Sequence, residues 1–173
     1  MARMKLTDTE RLILANQYEI LSALRNDESY ARLADALRDG HEWLYSQSFD
    51  YLSPNLSEKD TEHVLSILGI FSDLKASYAK LADKSGIEQH DVAFLGFDGN
   101  NESDLYSFAQ ALRKNNRFTE TLGEHGKNSH MPTTDLYERM IAKWRDLGKP
   151  NYPYDKQTIQ EIVAARVHPS NNK

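Results

Sequence analysis

Val64-Leu65-Ser66-Ile67-Leu68-Gly69-Ile70-Phe71-Ser72-Asp73-Leu74, continued by Lys75-Ala76-Ser77-Tyr78-Ala79-Lys80-Leu81, is the stretch that decides the fold class. Its apolar residues recur three and four apart, the period of a helix, and its middle has almost no polar face. Ser57 supplies a hydroxyl cap, Glu58 and Asp60 favour the positive end of the helix dipole, and Gly86 marks the far end. The run predicts a helix of about 28 residues, roughly 42 Å long, crossing the domain as its core element.

Helical signals continue on both sides. Thr7-Asp8-Thr9-Glu10 has the form of a capping box, and Leu14, Tyr18, Leu21 and Leu24 extend a helix to the break at Asn26-Asp27. A second helix carries Tyr30, Leu33, Ala34 and Leu37 and stops at Gly40. From His41 to Asn55 the period is poor, and Trp43, Tyr45, Phe49 and Tyr51 read as a short helix or turn packed by its aromatics. Phe94-Leu95-Gly96-Phe97-Asp98-Gly99 is a structured loop, with Asp98 or Asn100 expected to cap a helix bearing Leu105, Phe108, Ala109 and Leu112. Gly123 to Met131 is a loop; Pro132 opens a helix with Leu136, Met140, Ile141 and Trp144; Asp155 caps a last helix that Pro169 ends. No run alternates at period two long enough for a strand. The expectation is an all-α, multihelical single domain over residues 1–173, ordered from 5 to 168 with a frayed tail at 169–173. Its irregular loops lie near 87–99 and 119–131.

A chain of 173 residues can bury about 70% of its unfolded surface without staples. The absence of cysteine excludes disulfides, zinc ribbons, iron-sulfur clusters and thiol catalysis, and suits a reducing compartment. The net charge of −5 argues against a broadly basic nucleic-acid binder, although residues 113–173 carry +4 against −9 for residues 1–112. No signal peptide and no membrane span is legible, so the chain is placed in the cytoplasm, away from any membrane.

Motifs for chemistry are sparse. His125 and His130, with Glu120, Glu124 and His90, are the residues nearest to metal-ligand material. Five-residue spacing across Gly126 is not the three- or four-residue spacing that puts two imidazoles on one helix face, so no metal is assigned. Asp98-Gly99-Asn100-Asn101-Glu102-Ser103-Asp104 starts like a calcium loop but has Ser103 where the turn glycine belongs and Ala109 where the bidentate glutamate belongs. No nucleophile elbow and no phosphate-cradling glycine loop occurs, and no cofactor and no catalytic residue is assigned.

Three segments carry a family likeness: Glu10-Arg11-Leu12-Ile13-Leu14-Ala15-Asn16-Gln17-Tyr18, Val92-Ala93-Phe94-Leu95-Gly96-Phe97-Asp98, and His125-Gly126 followed by Pro132 and Tyr137-Glu138-Arg139-Met140. Together they resemble the YfbU family of bacterial proteins. The resemblance implies a multihelical all-α fold and a family without an established biochemical activity. Some family members resemble fusions to a helix-turn-helix DNA-binding segment, which implies a ligand-sensing role; the six residues before Thr7 leave no room for such a segment here. If the shared segments mark a ligand site, its residues are Asn16, Gln17 and Tyr18, Phe97 and Asp98, and His125. Each also has a plain structural use, as loop partner, core plug or helix cap.

These readings converge on a non-catalytic, cytoplasmic small-ligand-binding or protein-interaction domain that self-associates. Its nine tyrosines, six phenylalanines and two tryptophans supply candidate subunit contacts. The alternatives are an enzyme using His125 with Asp98 or Glu124 as an acid-base pair, and an adaptor for a DNA-binding regulator that meets its partner through the basic final third.

Overall fold

The computed structural model describes residues 5–49, 52–124 and 126–167. Among these the regular elements are helices, and the extended pairing is one isolated parallel bridge between Phe97 and Asn128. The expected all-α class is the one observed. No helix among the described residues is long and apolar enough to cross a membrane. The chain forms two compact units, residues 1–55 and 56–173, each with its own apolar core.

In the first unit, α1 (Asp8–Arg25) starts from Thr7 with both halves of the capping box made: Thr7 Oγ1 accepts the Glu10 amide and Glu10 accepts the Thr7 amide. Asn26 ends α1 in a left-handed conformation, Asp27 caps α2 (Glu28–Asp39), and Gly40 ends it, as the spacing predicts. Ala15, Ala34, Leu37 and Tyr45 form the core, so the two helices approach across small residues. The stretch after Gly40 is α3 (Glu42–Ser46) followed by a 3-10 turn over Gln47–Phe49. Its aromatics do not all pack: Tyr45 is buried, whereas Trp43, two residues away and therefore on the opposite side of so short a helix, is exposed. Tyr51 lies outside the described residues.

In the second unit, the decisive stretch is α4 (Glu58–Lys80), which packs against α5 (Ser103–Lys114), α6 (Thr119–Leu122), α7 (Thr134–Asp146) and α8 (Lys156–Ala164). Val64, Ile67, Leu68, Ile70, Phe71 and Leu74 are buried, each such side chain contributing about 1.5–3 kcal/mol. At 23 residues α4 is shorter than the sequence predicts. Asp83 accepts the Ser85 amide, and Lys156 Nζ bonds Asp83 at 2.6 Å and Ser85 Oγ at 2.7 Å. The local Asp83–Ser85 bond and the two bonds from the distant Lys156 hold residues 81–86 as a loop in place of the final turns. The 119–131 stretch likewise opens with the single turn of α6 before becoming irregular. Pro132 lies just outside α7, whose N-cap is Thr133. The expected end at Pro169 lies outside the described residues.

The central role of α4 is checked by a matched pair of truncations. Leu74→Ala, at a fully buried position, is expected to cost about 2–5 kcal/mol in urea denaturation. Leu65→Ala on the outer side, where the residue is 37% exposed, is expected to cost under about 1 kcal/mol. Equal losses would contradict the assigned core face.

Candidate functional site

The two irregular loops meet over α4, and the junction is built around one carboxylate. Glu102 stands immediately before α5, and its Oε2 accepts the Asp98 amide at 2.8 Å. Its Oε1 accepts the Thr133 amide at 2.8 Å, the Thr134 amide at 2.7 Å and the Thr134 hydroxyl at 2.6 Å. The Thr133 hydroxyl lies 3.1 Å from Oε2 and 2.8 Å from the Gly96 carbonyl, its one proton serving either. Thr133 does not cap α7 with its own side chain. Glu102 performs that task from a distant segment, placing a negative charge at a helix N-terminus. Burial alone would push the Glu102 carboxyl up; the hydrogen bonds from Thr134, Asp98 and Thr133 outweigh it and hold the group below its ordinary value.

Asp98 does not cap α5, contrary to expectation, and neither does Asn100. The buried Asp98 carboxylate instead closes its own turn, accepting the Asn101 side-chain amide and the Asn100 backbone amide at 3.0 Å. Those two bonds hold its carboxyl below the usual range. Tertiary demand decides the matter, because Glu102 pulls the chain toward α7 and α5 starts only at Ser103. Phe97 is fully buried in an aromatic cluster with Phe71, Phe94 and Tyr137, at centroid distances from Phe94 and Tyr137 of 5.3 and 5.8 Å. Tyr137 also uses its hydroxyl, accepting the Leu95 amide and donating to the Gly96 carbonyl at 2.8 Å. Burial raises its pKa well above the ordinary tyrosine value.

The second loop lies directly on the first. Ser129 N–H donates to the Phe97 carbonyl, Gly99 N–H donates to Asn128 Oδ1, and Gly96 at φ +107° passes so close to Lys127 that a Cβ there would overlap the Lys127 carbonyl. Between the loops and α4 is a cavity of about 130 Å³. Phe71, Val92, Ala93 and Phe94 give it an apolar wall, while Lys75, Lys127, Gln89, Glu120 and Thr121 supply polar groups. Lys75 Nζ is fixed by the Glu120 carbonyl at 2.6 Å. Burial, and then the charge of Lys75, pull the Lys127 ammonium below its ordinary pKa. Among the described residues neither lysine forms a salt bridge. Behind the wall, Arg166 donates to the Ala93 carbonyl at 3.1 Å and lies over the Phe71 ring.

The residues singled out in the sequence separate into two groups. Asn16, Gln17 and Tyr18 belong to the first unit and Phe97 and Asp98 to the second. Asn16 is exposed and accepts a long bond from Arg38 at 3.4 Å. Gln17 and Tyr18 line a groove of about 630 Å³ with Leu14, Leu21, Tyr30 and Phe49, and Tyr18 stacks on Tyr30 at 6.0 Å. His125 lies outside the described residues. No signal in the sequence singles out Glu102, Lys75 or Lys127 as site residues. Glu102 was legible only as part of a failed calcium loop, and two lysines 52 positions apart carry no signal of adjacency.

A model of the YfbU domain matches residues 4–165, which is nearly the whole chain. The chain belongs to the YfbU family. Among its relatives, a UPF0304 protein of Methanocaldococcus jannaschii is 30% identical over 167 residues, covering 92% of this chain and 99% of that protein. A UPF0304 protein of Actinobacillus succinogenes is 32% identical over 166 residues, covering 94% and 100%. The match takes in both loops and the α4 segment that together enclose the cavity of this YfbU chain.

Two substitutions test the junction. Glu102→Gln leaves amide donors without an ionised acceptor and is expected to lose about 2–3 kcal/mol at neutral pH, since an unsatisfied buried donor costs roughly 1–3 kcal/mol. The folded-state pKa of Glu102 is depressed, so its contribution is present above the unfolded value of about 4.3 and is lost as pH falls through the folded value. Acid titration of stability is therefore expected to be steeper for the parent than for the variant, and parallel curves would refute the clamp. Gly96→Ala is expected to cost at least about 2 kcal/mol through strain and overlap, measured by thermal unfolding.

Proposed function

We propose that this protein is a non-catalytic small-ligand-binding domain that self-associates, with the ligand held in the cavity between the loops and α4. The observation that carries the reading is the cavity itself: small, walled by Phe71, Val92 and Phe94, and lined by two lysines against the single carboxylate of Glu120, neither lysine forming a salt bridge among the described residues. Asp98, the carboxylate of the acid-base alternative, has both oxygens engaged within its own turn, which favours a binding role over catalysis. The family match runs across both units, which supports treating residues 1–173 as one functional domain. The cysteine-free composition favours a cytoplasmic setting.

Self-association rests on the outer side of α1. Leu12, Ile13, Ile20 and Leu24 are all more than half exposed there. With Thr9, Asn16, Gln17 and Ala23 they fill an arc of about 140° that has no charged residue of α1, bounded by Glu10 and Glu19, and Arg38, which reaches Asn16 from α2, is paired with Glu19. A second copy can meet such a face without like-charge repulsion, although residues 1–55 carry a net −3.

For binding, amide NMR spectra are recorded with fragments of about four to eight heavy atoms, neutral, cationic and anionic, a size set by the cavity. At least one is expected to move the amides of residues 92–96 and 127 saturably, and no response to any fragment removes the ligand reading. For assembly, light scattering at tens of micromolar is expected to show an oligomer that Ile20→Glu converts to monomer. A strictly monomeric parent removes that part.

A further inference from the structure

The cavity between α4 and the two loops also specifies a class of ligand, and this inference rests on the ligand-binding reading above. We infer that the cavity binds a short-chain carboxylate, with the alkyl end against Phe71, Val92 and Phe94 and the carboxylate between Lys75 and Lys127.

Lys75 projects from α4 and Lys127 from the second loop, and both line one small space. Lys75 is held in place by the Glu120 carbonyl. The backbone next to Lys127 is tied to the first loop by the Ser129 N–H on the Phe97 carbonyl and the Gly99 N–H on Asn128 Oδ1, with Gly96 passing close to the Lys127 carbonyl. Burial first, and then the like charge of Lys75 brought to the same space by another element, gives the Lys127 ammonium a cost that its depressed pKa records. An anion between them relieves it. Glu120 is the one carboxylate residue in the lining, so the side chains of the space carry two positive charges against one negative. Arg166 adds a further cation near the same wall through its bond to Ala93.

At about 130 Å³ the space corresponds to roughly four water molecules, which admits an acid of about three to five carbons and excludes nucleotides and peptides. An inorganic oxyanion would suit the lysines but leave the aromatic wall without a partner; a neutral alkyl compound would do the reverse. A carboxylate with a short alkyl chain satisfies both, burying apolar surface while forming charge-assisted hydrogen bonds in a partly desolvated setting. The Gln89 amide and Thr121 hydroxyl are the remaining polar groups in the lining. The scaffold suits a small ligand because the Glu102 clamp and the Tyr137 hydroxyl hold the 94–98 loop from behind.

The test uses sodium butyrate, its neutral isostere butyramide, and inorganic phosphate, each titrated at constant ionic strength into the isotope-labelled full chain. Butyrate is expected to move the amides of 92–96 and 127 saturably and to bind at least tenfold more tightly than butyramide or phosphate. Lys127→Gln is expected to weaken butyrate at least tenfold, and Lys127→Arg, which keeps the charge, to stay within a few-fold of the parent. Glu120→Gln is expected to tighten it. The dispersed spectra of each variant report that the fold is intact. Equal binding of butyramide, or phosphate binding as tightly as butyrate, overturns the carboxylate assignment while leaving the cavity as a ligand site. Failure of all three probes, together with silence across the wider fragment set, overturns the ligand reading as well.

Discussion

An ionised carboxylate that accepts amide protons from two separate segments is the constraint on which the second unit depends. Loops without periodic hydrogen bonding leave backbone groups to be satisfied one by one, and burial makes each omission costly. Glu102 serves the Asp98 amide on one side and the Thr133 and Thr134 amides on the other. In doing so it closes the first loop, starts α7 and sets the point where α5 begins. A neutral side chain of the same length has one acceptor atom instead of two, so both attachments cannot be kept at once.

The consequences pass from backbone to core. With Gly96 and Asp98 fixed, Phe97 enters the cluster formed by Phe71, Phe94 and Tyr137, and Tyr137 spends its hydroxyl on the same loop. With Thr133 fixed, the preceding residues run back across Gly96 and bring Lys127 over the cavity. The small space beside Phe71 and Phe94 is left where an irregular loop covers a regular helix. Its two lysines are brought there by contacts made elsewhere, the Glu120 carbonyl for Lys75 and the Ser129–Phe97 and Gly99–Asn128 bonds between the loops for Lys127.

The first unit shows the opposite case, where local chemistry was sufficient. The capping box at Thr7, the left-handed Asn26, the Asp27 cap and Gly40 all act within a few residues of themselves, and all occur where the spacing placed them. Local signals fail where a distant partner intervenes. α4 ends at Lys80 because Lys156 joins Asp83 to Ser85, and Asp98 closes a turn instead of capping because Glu102 is claimed by α7.

The amino-acid sequence by itself determined the all-α class, the helix starts at Thr7, Asp27, Ser57 and Asp155, the buried stripe of α4 and the position of the two irregular loops, because helical period and capping are properties of residues near one another in the chain. It also placed Phe97 and Asp98 in the first of these loops. Only the tertiary structure decided what those residues do there, that Glu102 is the junction, and that Lys75 and Lys127 share one cavity. Their proximity arises from hydrogen bonds and packing between segments dozens of residues apart, and no local pattern encodes a meeting of that kind.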